Sequence, residues 1–578
     1  MQSLFSGHGR VANPSIFSYI VWRVLQSIPE EQMESIDYRR LPLSAGGFSE
    51  LFLDFVYDFE KVRQFYQYDF RSPSSWQSVA TKLKRRPYDR ATLVGALEEQ
   101  NAEFGSPSRT FDHIALLMKP TTFAVVTGQQ VGLFGGPLYT MYKTISAIKL
   151  SSHLKEMLPD YDFVPVFWVE GEDHDFPEMN HISVLDRDNT IRRIEYLPGG
   201  ALPERNPGPV GEMVFDSFLE QTMQRLTESL LHTEFTENVL SMLRGCYQPG
   251  RSFNQAFTRW MNFLFQEHGV VYISPNDLLL KRLLSPLFER EIQEFPATSQ
   301  MVISQSAELE KGYHAQVKAK SINLFLFHKG GRYLIEPRES DFSLRGTRHF
   351  LQKDELVGIA REQPELLSPN VVLRPLAQDV LLPTIAYVAG PSEIAYHAQL
   401  KPVYEHMQVI QPVLFPRVSA SLIEGAQRRA MERYGLTLTE FFDTSGRVVE
   451  KVLEQISDVG VDGVFADTNK RIVETLNELR FGLREIDPTL LGALDGFSTK
   501  VTKGLDALKE KSSAAQRRKN EAAVRQIEKA SGGFLPGGAL QERELSVLYY
   551  LNKYGPDLMR LLFEDLDIHD FRHQISSL

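Results

Sequence analysis

The sequence predicts an α/β protein: an open, mostly parallel sheet with helical crossovers and insertions, followed by an α-helical coiled coil. Two observations predict it. Short apolar runs bounded by turns, namely FAVVT, FVPVFWVEG, VVYISP, TIAYVAG and VIQPVLFP, alternate with segments of helical period between residues 121 and 420. Beyond residue 421 the pattern turns charged and helical, and apolar residues fall in steps of four and three.

Residues 1–120 carry aromatic and charged helical patterns such as FSELFLDFVYDFEKVRQFYQ, without a glycine-rich loop, and are expected to pack on the core. That core, 121–420, opens on FAVVT, a glycine-rich turn, an amphipathic segment and FVPVFWVEG. Leu138, Met141, Tyr142, Ile145 and Ile148 have helical spacing, and Pro137 suits a helix start because its missing N–H would be unpaired there anyway. Two buried strands joined by a helix make a parallel unit, whose ligands sit beyond the carboxyl ends of the strands. FNQAFTRWMNFLFQEHG, VVYISP and NDLLLKRLLSPLFEREI continue the alternation, with Asn276 or Asp277 available to cap the last helix. LFLFHKGGRYLIE reads as a hairpin turning at Lys329, Gly330 and Gly331. TIAYVAG, a GPSE turn, AYHAQLKPVYEHM and VIQPVLFP close the core, and insertions are expected near 190–250 and 295–365.

The coiled coil is expected over 421–530. Ile472, Leu476, Leu479, Leu483, Ile486 and Leu490 form a heptad seam that resumes after Pro488 at Leu494, Phe497, Val501, Leu505 and Leu508. Two helices meeting near Asp487 and Pro488 follow from the proline. A seam of this length needs a partner helix, from this chain or from a second copy. Residues 531–578, Gly-Pro rich and then helical, are expected to return to the core.

Composition narrows the function. The 578 residues are 42% hydrophobic and 24% charged, which is globular, and the net charge of −11 opposes a broad nucleic-acid or anionic-membrane surface. The lone cysteine, Cys246, excludes an internal disulfide, a multi-cysteine zinc site and a CxxC pair, and has no local base. No apolar stretch approaches the roughly 20 residues of a membrane span, and the start MQSLFSGHGRVANPSIF lacks a signal-peptide pattern. A cytoplasmic location is expected; His8 has only flexible neighbours and is assigned no role.

Three segments carry candidate chemistry. In TGQQVGLFGGPLYTMYK, Gly132, Gly135 and Gly136 let the backbone turn tightly, and the helix start at Pro137 would aim free N–H groups at an anion, phosphate or carboxylate. Thr127, Gln129, Gln130 and Tyr139 add polar groups, and Lys143 lies on the second helical turn. The same loop could simply pack tightly; it is neither a Walker A loop nor a clean GxGxxG. In EGEDHDFPEMNH, opening on the same sheet edge, Glu172, Asp173 and Asp175 could hold a substrate ammonium, and His174 could move a proton. Asn180 and His181 lie nearby, but the seven-residue separation of His174 and His181 fits no compact zinc motif, so no metal is assigned. In SPNVVLRPLAQDVLLPTIAYVAGPSEIAYHAQL, Asn370, Arg374, Gln378 and Asp379 interrupt an apolar run, and Tyr387 and Glu393 flank a second strand-to-helix turn. Arg374 could clamp a carboxylate or phosphate, or pair internally with Asp379.

These three strings, with FLPGGALQER after them, resemble the bacillithiol biosynthesis cysteine-adding enzymes, the BshC family, over essentially the whole chain. The resemblance implies a Rossmann-like core with connecting-peptide insertions, related to class I aminoacyl-tRNA synthetases, and a homodimer through the coiled coil. It implies a carbon–nitrogen ligase joining the cysteine carboxylate to the amine of glucosaminyl malate, with ATP and Mg2+ as activator and no structural metal. The synthetase signatures His-Ile-Gly-His and Lys-Met-Ser-Lys-Ser are absent, and Gly135, Gly136 and Pro137 stand where the first would be. On this reading Lys143 and the helix start face phosphate, Asp173 and Asp175 hold ammonium groups, His174 relays a proton, and Arg374 grips a carboxylate. Another nucleotide-using α/β enzyme, such as an adenylyltransferase, or a coiled-coil scaffold with a vestigial core, are the competing readings.

Overall fold

The computed structural model describes residues 34–41, 47–203, 206–318, 322–339, 341–443, 446–457 and 460–578, so His8 lies outside the described residues. The core is built, in chain order, from β1 (Thr122–Gln130), α1 (Tyr139–Met157), β2 (Asp162–Glu170), β3 (Val271–Ile273), α2 (Arg374–Leu381), β4 (Thr384–Ala389), α3 (Pro391–His397) and β5 (Val413–Pro416). The five strands form one parallel sheet in the order β5-β4-β1-β2-β3. Val125, Val126, Val164, Val166, Ile385 and Val388 are fully buried, as expected for parallel strands covered on both faces, and each contributes roughly 1.5–3 kcal/mol of hydrophobic stabilisation.

From β1 the chain moves outward to β2 and β3, then returns to place β4 on the other side of β1. The strand order therefore reverses between β1 and β4, which opens a crevice at their carboxyl ends. Thr127 Oγ1 donates to the Val388 carbonyl at 3.0 Å and ties the two strands together just below that point.

The expected hairpin is present: Leu324–His328 pairs antiparallel with Gly331–Arg338. Only Lys329 and Gly330 form the turn, both at positive φ (49° and 80°), while Gly331 already pairs with His328; this is the twist-matched two-residue turn. The hairpin belongs to a five-stranded antiparallel sheet that also includes Leu367–Pro369, the strand leading into α2. At the head of helix Leu278–Glu294 it is Asp277 that caps, accepting from the Leu279 and Leu280 amides at 2.8 and 3.0 Å.

The expected coiled coil is a helical pair, α4 (Val461–Ile486) and α5 (Leu491–Lys519), joined at Pro488–Leu490. The helices run antiparallel, as the Lys509–Asp462 ion pair at 2.6 Å and the Arg480–Asp495 pair show. The partner for much of the seam is thus this chain itself. Ile472, Leu476, Leu483, Val501 and Leu505 are half-buried and Leu494 is buried, whereas Leu479, Ile486, Leu490, Phe497 and Leu508 remain exposed. Residues after the pair return to the core, and His573–Ser577 pairs parallel with Ser419–Ile423 and antiparallel with Glu34–Ile36.

Candidate active site

The crevice at the carboxyl ends of the strands widens into a cavity of about 850 Å³. Its walls include Gln129 and Gln130 from the end of β1, Trp168 and Glu170 from β2, Tyr387 from β4, and Arg417 just after β5. Strand ends converge there because a parallel sheet directs all its carboxyl termini to one edge.

Of the residues singled out in the sequence, Gln129, Gln130, Tyr139, Lys143, Asp173, His174, Asn370, Arg374, Tyr387 and Glu393 line this cavity. Asp173 is held on several sides. Its Oδ2 accepts from Gln130 Nε2 at 2.7 Å, and its Oδ1 accepts from the His174 amide at 2.7 Å, lies 3.5 Å from His174 Nδ1 and lies 3.5 Å from Arg332 Nη1. Burial pushes the Asp173 carboxyl up, but His174, Arg332 and Gln130 together hold it well below the usual carboxylate range. It is therefore an anionic anchor that orients His174.

Arg374 sits at the start of α2, its guanidinium 5.9 Å from the Trp168 ring centre and 5.3 Å from that of Tyr387. Its Nη1 donates to Gln378 Oε1 and its Nη2 to the Tyr387 hydroxyl, both at 3.3 Å. Both partners are neutral, and among the described residues no carboxylate stands within ion-pair distance of Arg374. The internal Arg374–Asp379 pair considered from the sequence does not form: Asp379 is buried, accepting from Tyr404 and Gln378 at 2.7 and 2.9 Å.

Other expectations require correction. Lys143 reaches the cavity, yet its three donors are already used, on the Gly128 carbonyl (2.7 Å), Gln129 Oε1 (3.2 Å) and Glu393 Oε2 (2.6 Å). Burial drags the Lys143 pKa down, while Lys143 holds Glu393 below its ordinary value despite burial. This lysine pins α1 to α3 rather than offering a free hand to phosphate. Nor is the helix start open: the Leu138 amide donates to the Leu545 carbonyl at 2.8 Å, Pro137 pairs with Ser546, and the helix proper begins at Tyr139. Gly135 and Gly136 adopt φ of 95° and 69°, and a Cβ on Gly135 would come within 2.9 Å of Trp260, so these glycines serve the turn and its packing. Gly132, Gly135, Gly136 and Pro137 do not border the cavity, and the phosphate cradle expected there does not fit.

Glu172 is buried in an ion pair with the fully buried Lys281 and accepts from Ser368 Oγ at 3.0 Å. Asp175 is exposed outside the cavity, and Asn180 is buried with its amide donating to the Tyr196 carbonyl at 3.0 Å. His181 lies on a strand with its ring 3.0 Å from the Pro177 carbonyl, while Thr127 and Gln378 are spent inside the core. Cys246 is half-buried, and burial pushes its thiol up to about 11, the reverse of an activated nucleophile.

The structure also brings in residues that sequence reasoning did not place. Arg332, beside the hairpin turn, is buried over the Phe325 ring at 3.9 Å; its Nε donates to Ser368 Oγ and its Nη2 to the Pro369 carbonyl, which leaves Nη1 facing Asp173 and His174. The turn was legible, but nothing local says that it folds 158 residues back onto His174. Glu170, the first carboxylate of the acidic run EGEDHDFPEMNH singled out in the sequence, also lines the cavity; it accepts from Trp168 Nε1 at 3.0 Å, and burial raises its pKa against the pull of Arg374. Tyr396, Arg417 and Arg543 complete the wall.

Comparison with known proteins agrees with this architecture. A family model for the bacillithiol biosynthesis BshC N-terminal Rossmann-like domain matches residues 32–418, and one for the BshC C-terminal coiled-coil domain matches 420–578. Relatives described as "Putative cysteine ligase BshC" include those of Salinibacter ruber (40% identity, 94% of this chain and 98% of the relative), Chloroherpeton thalassium (36%, 92% and 97%) and Symbiobacterium thermophilum (31%, 89% and 94%). A solved Campylobacter jejuni structure described as a "putative arginyl t-RNA synthetase" covers 82% of this chain and 97% of its own at 12% identity, but with a TM-score of 0.20 that likeness carries no argument. With a parallel sheet, a polar crevice at its switch point, a helical pair beyond residue 460 and two family models that together span residues 32–578, the chain belongs to the BshC family of bacillithiol biosynthesis.

Proposed function

We propose that this chain is an amide-forming ligase that joins the carboxylate of cysteine to the amine of glucosaminyl malate. The observation that carries the reading is Arg374, a guanidinium set in the cavity wall between Trp168 and Tyr387 with only neutral partners. A half-buried cation whose hydrogen-bond partners are all neutral, and from which the nearest carboxylates among the described residues stand beyond ion-pair distance, favours an anionic ligand, and both substrates bring carboxylates.

Amide formation needs a leaving group on the carboxylate better than hydroxide, and ATP with Mg2+ is the expected source of it. The residues of this chain supply orientation and proton handling. Arg374 holds a substrate carboxylate, and Arg332 Nη1 faces the same space from the hairpin. The attacking amine must lose a proton, and in this reading His174, with Nδ1 3.5 Å from Asp173 Oδ1, takes it. Tight placement of two small substrates accounts for much of the rate such a site can supply. Location in the cytoplasm and a homodimer through the helical pair belong to the same reading; the exposed side chains of Phe481, Ile486 and Phe497 support the second.

The test is mass spectrometry of purified protein incubated with glucosaminyl malate, cysteine, ATP and Mg2+, with an ATP-free control. Bacillithiol formed only with ATP is the expected result, and no product from folded protein in either tube would overturn the reading.

A further inference from the structure

The segment Gln541–Ser546 crosses from the C-terminal domain to the rim of the cavity and is fastened at almost every residue. Gln541 accepts from the Leu422 amide at 2.7 Å and donates to its carbonyl at 3.0 Å. Glu542 is fully buried in a two-pronged pair with Arg417 at 2.7 and 3.0 Å, and also accepts from the Ala420 amide at 3.1 Å. Glu544 accepts from Ser183 Oγ at 2.6 Å, the Leu545 carbonyl closes the start of α1, and the Ser546 amide donates to the Ser183 carbonyl at 3.0 Å.

Between these fastenings stands Arg543. Its side chain is exposed, it borders the cavity with Tyr139, Gln130 and Glu178, and among the described residues its guanidinium has no hydrogen-bond or ion-pair partner. A segment anchored on both sides of one unpartnered arginine is arranged to hold that arginine in place. Arg417 cannot substitute for it, because its charge is already paired with the buried Glu542 and its Nη1 also donates to the Val418 carbonyl.

We infer that Arg543 is a substrate-binding residue, delivered by the C-terminal domain to complete a site otherwise built by the N-terminal one, and that it takes an anionic group at the cavity mouth. Two sources share that chemistry, a malate carboxylate of the acceptor and a phosphate of the nucleotide. The inference rests on the ligase reading above. It adds that the Rossmann-like domain has no complete site until the chain has passed through the helical pair and come back.

Isothermal titration of glucosaminyl malate, and separately of ATP with Mg2+, into the full-length protein and into Arg543→Ala and Arg543→Lys decides it. Since Arg543 is exposed and unpartnered, both variants should unfold at the temperature of the parent. The expected result is about a tenfold loss of affinity for one ligand in Arg543→Ala, with Arg543→Lys between, because lysine keeps the charge but not the fork. Loss confined to glucosaminyl malate identifies the carboxylate, and loss confined to ATP identifies the phosphate. Unchanged affinity for both ligands in Arg543→Ala overturns this inference alone, whereas a parent protein that binds neither ligand overturns the ligase reading along with it.

Discussion

Lys143 and Glu393 meet at 2.6 Å across the switch point, joining the helix that follows β1 to the helix that follows β4. Glu393 Oε1 also accepts from the Tyr387 hydroxyl at 2.6 Å, and that hydroxyl accepts from Arg374, so the pair is the root of the chain of contacts that sets the arginine in the wall.

Removing one partner of this pair leaves an uncompensated buried charge. Lys143→Met is therefore expected to cost about 3 kcal/mol in denaturant unfolding, the lower end for a buried pair because the Glu393 side chain retains some exposure. Adding Glu393→Leu should recover most of that loss. A Lys143→Met variant of parental stability would contradict the structural role assigned to the pair.

Arg374→Ala should lower kcat/KM by about a hundredfold or more if the guanidinium holds a carboxylate in the transition state. Arg374→Lys should rescue little, since a lysine neither stacks between Trp168 and Tyr387 nor reaches Gln378 and Tyr387 together. Steady-state kinetics with each substrate varied in turn provides the check.

Asp379 supplies a pH signature. Burial pushes its carboxyl up to about 6 against the hydrogen bond from Tyr404. The folded state then binds the proton more tightly than the unfolded chain, so this group's contribution to stability falls as pH rises from about 4 to about 6 and is level above. Asp379→Asn should abolish that component, be at least as stable as the parent at pH 7, and keep turnover, since Asp379 lies outside the cavity. Thermal midpoints measured across pH 4–7 would expose the opposite slope if the assignment is wrong.

The helical pair exposes Phe481 at 73% and Ile486 at 76%, together with Phe497 and Leu508. Light scattering at micromolar concentration is expected to show a dimer, and Phe481→Glu with Phe497→Glu is expected to yield a monomer with the far-ultraviolet spectrum retained. A monomeric parent protein would refute the dimer.

Much of this protein was legible in local pattern. The apolar runs FAVVT, FVPVFWVEG and TIAYVAG marked β1, β2 and β4 because a strand buried on both faces must be apolar throughout, and the order strand-turn-helix-strand fixed their parallel sense. The heptad steps marked α4 and α5, and Pro488 marked their junction. The GQQ run and the Asp173–His174 dipeptide were found because they stand at strand ends, where a parallel sheet exposes its ligand edge.

What sequence could not decide was which polar group meets which. Lys143 reads as a phosphate ligand in the sequence, but Glu393, far along the chain, claims it; Arg332 and Arg543 carry no local signal and reach the cavity only because the hairpin and the returning C-terminal segment bring them there. Glu172, Asn180 and Asp379 were indistinguishable from site residues, since a buried polar side chain must be paired whether or not it touches a ligand. Periodicity is a property of neighbours along the chain, and it determined the elements and their order. Pairing of charges and closure of a helix end are contacts between distant segments, and only the tertiary structure determined which groups were spent on holding the fold and which were left free for a substrate.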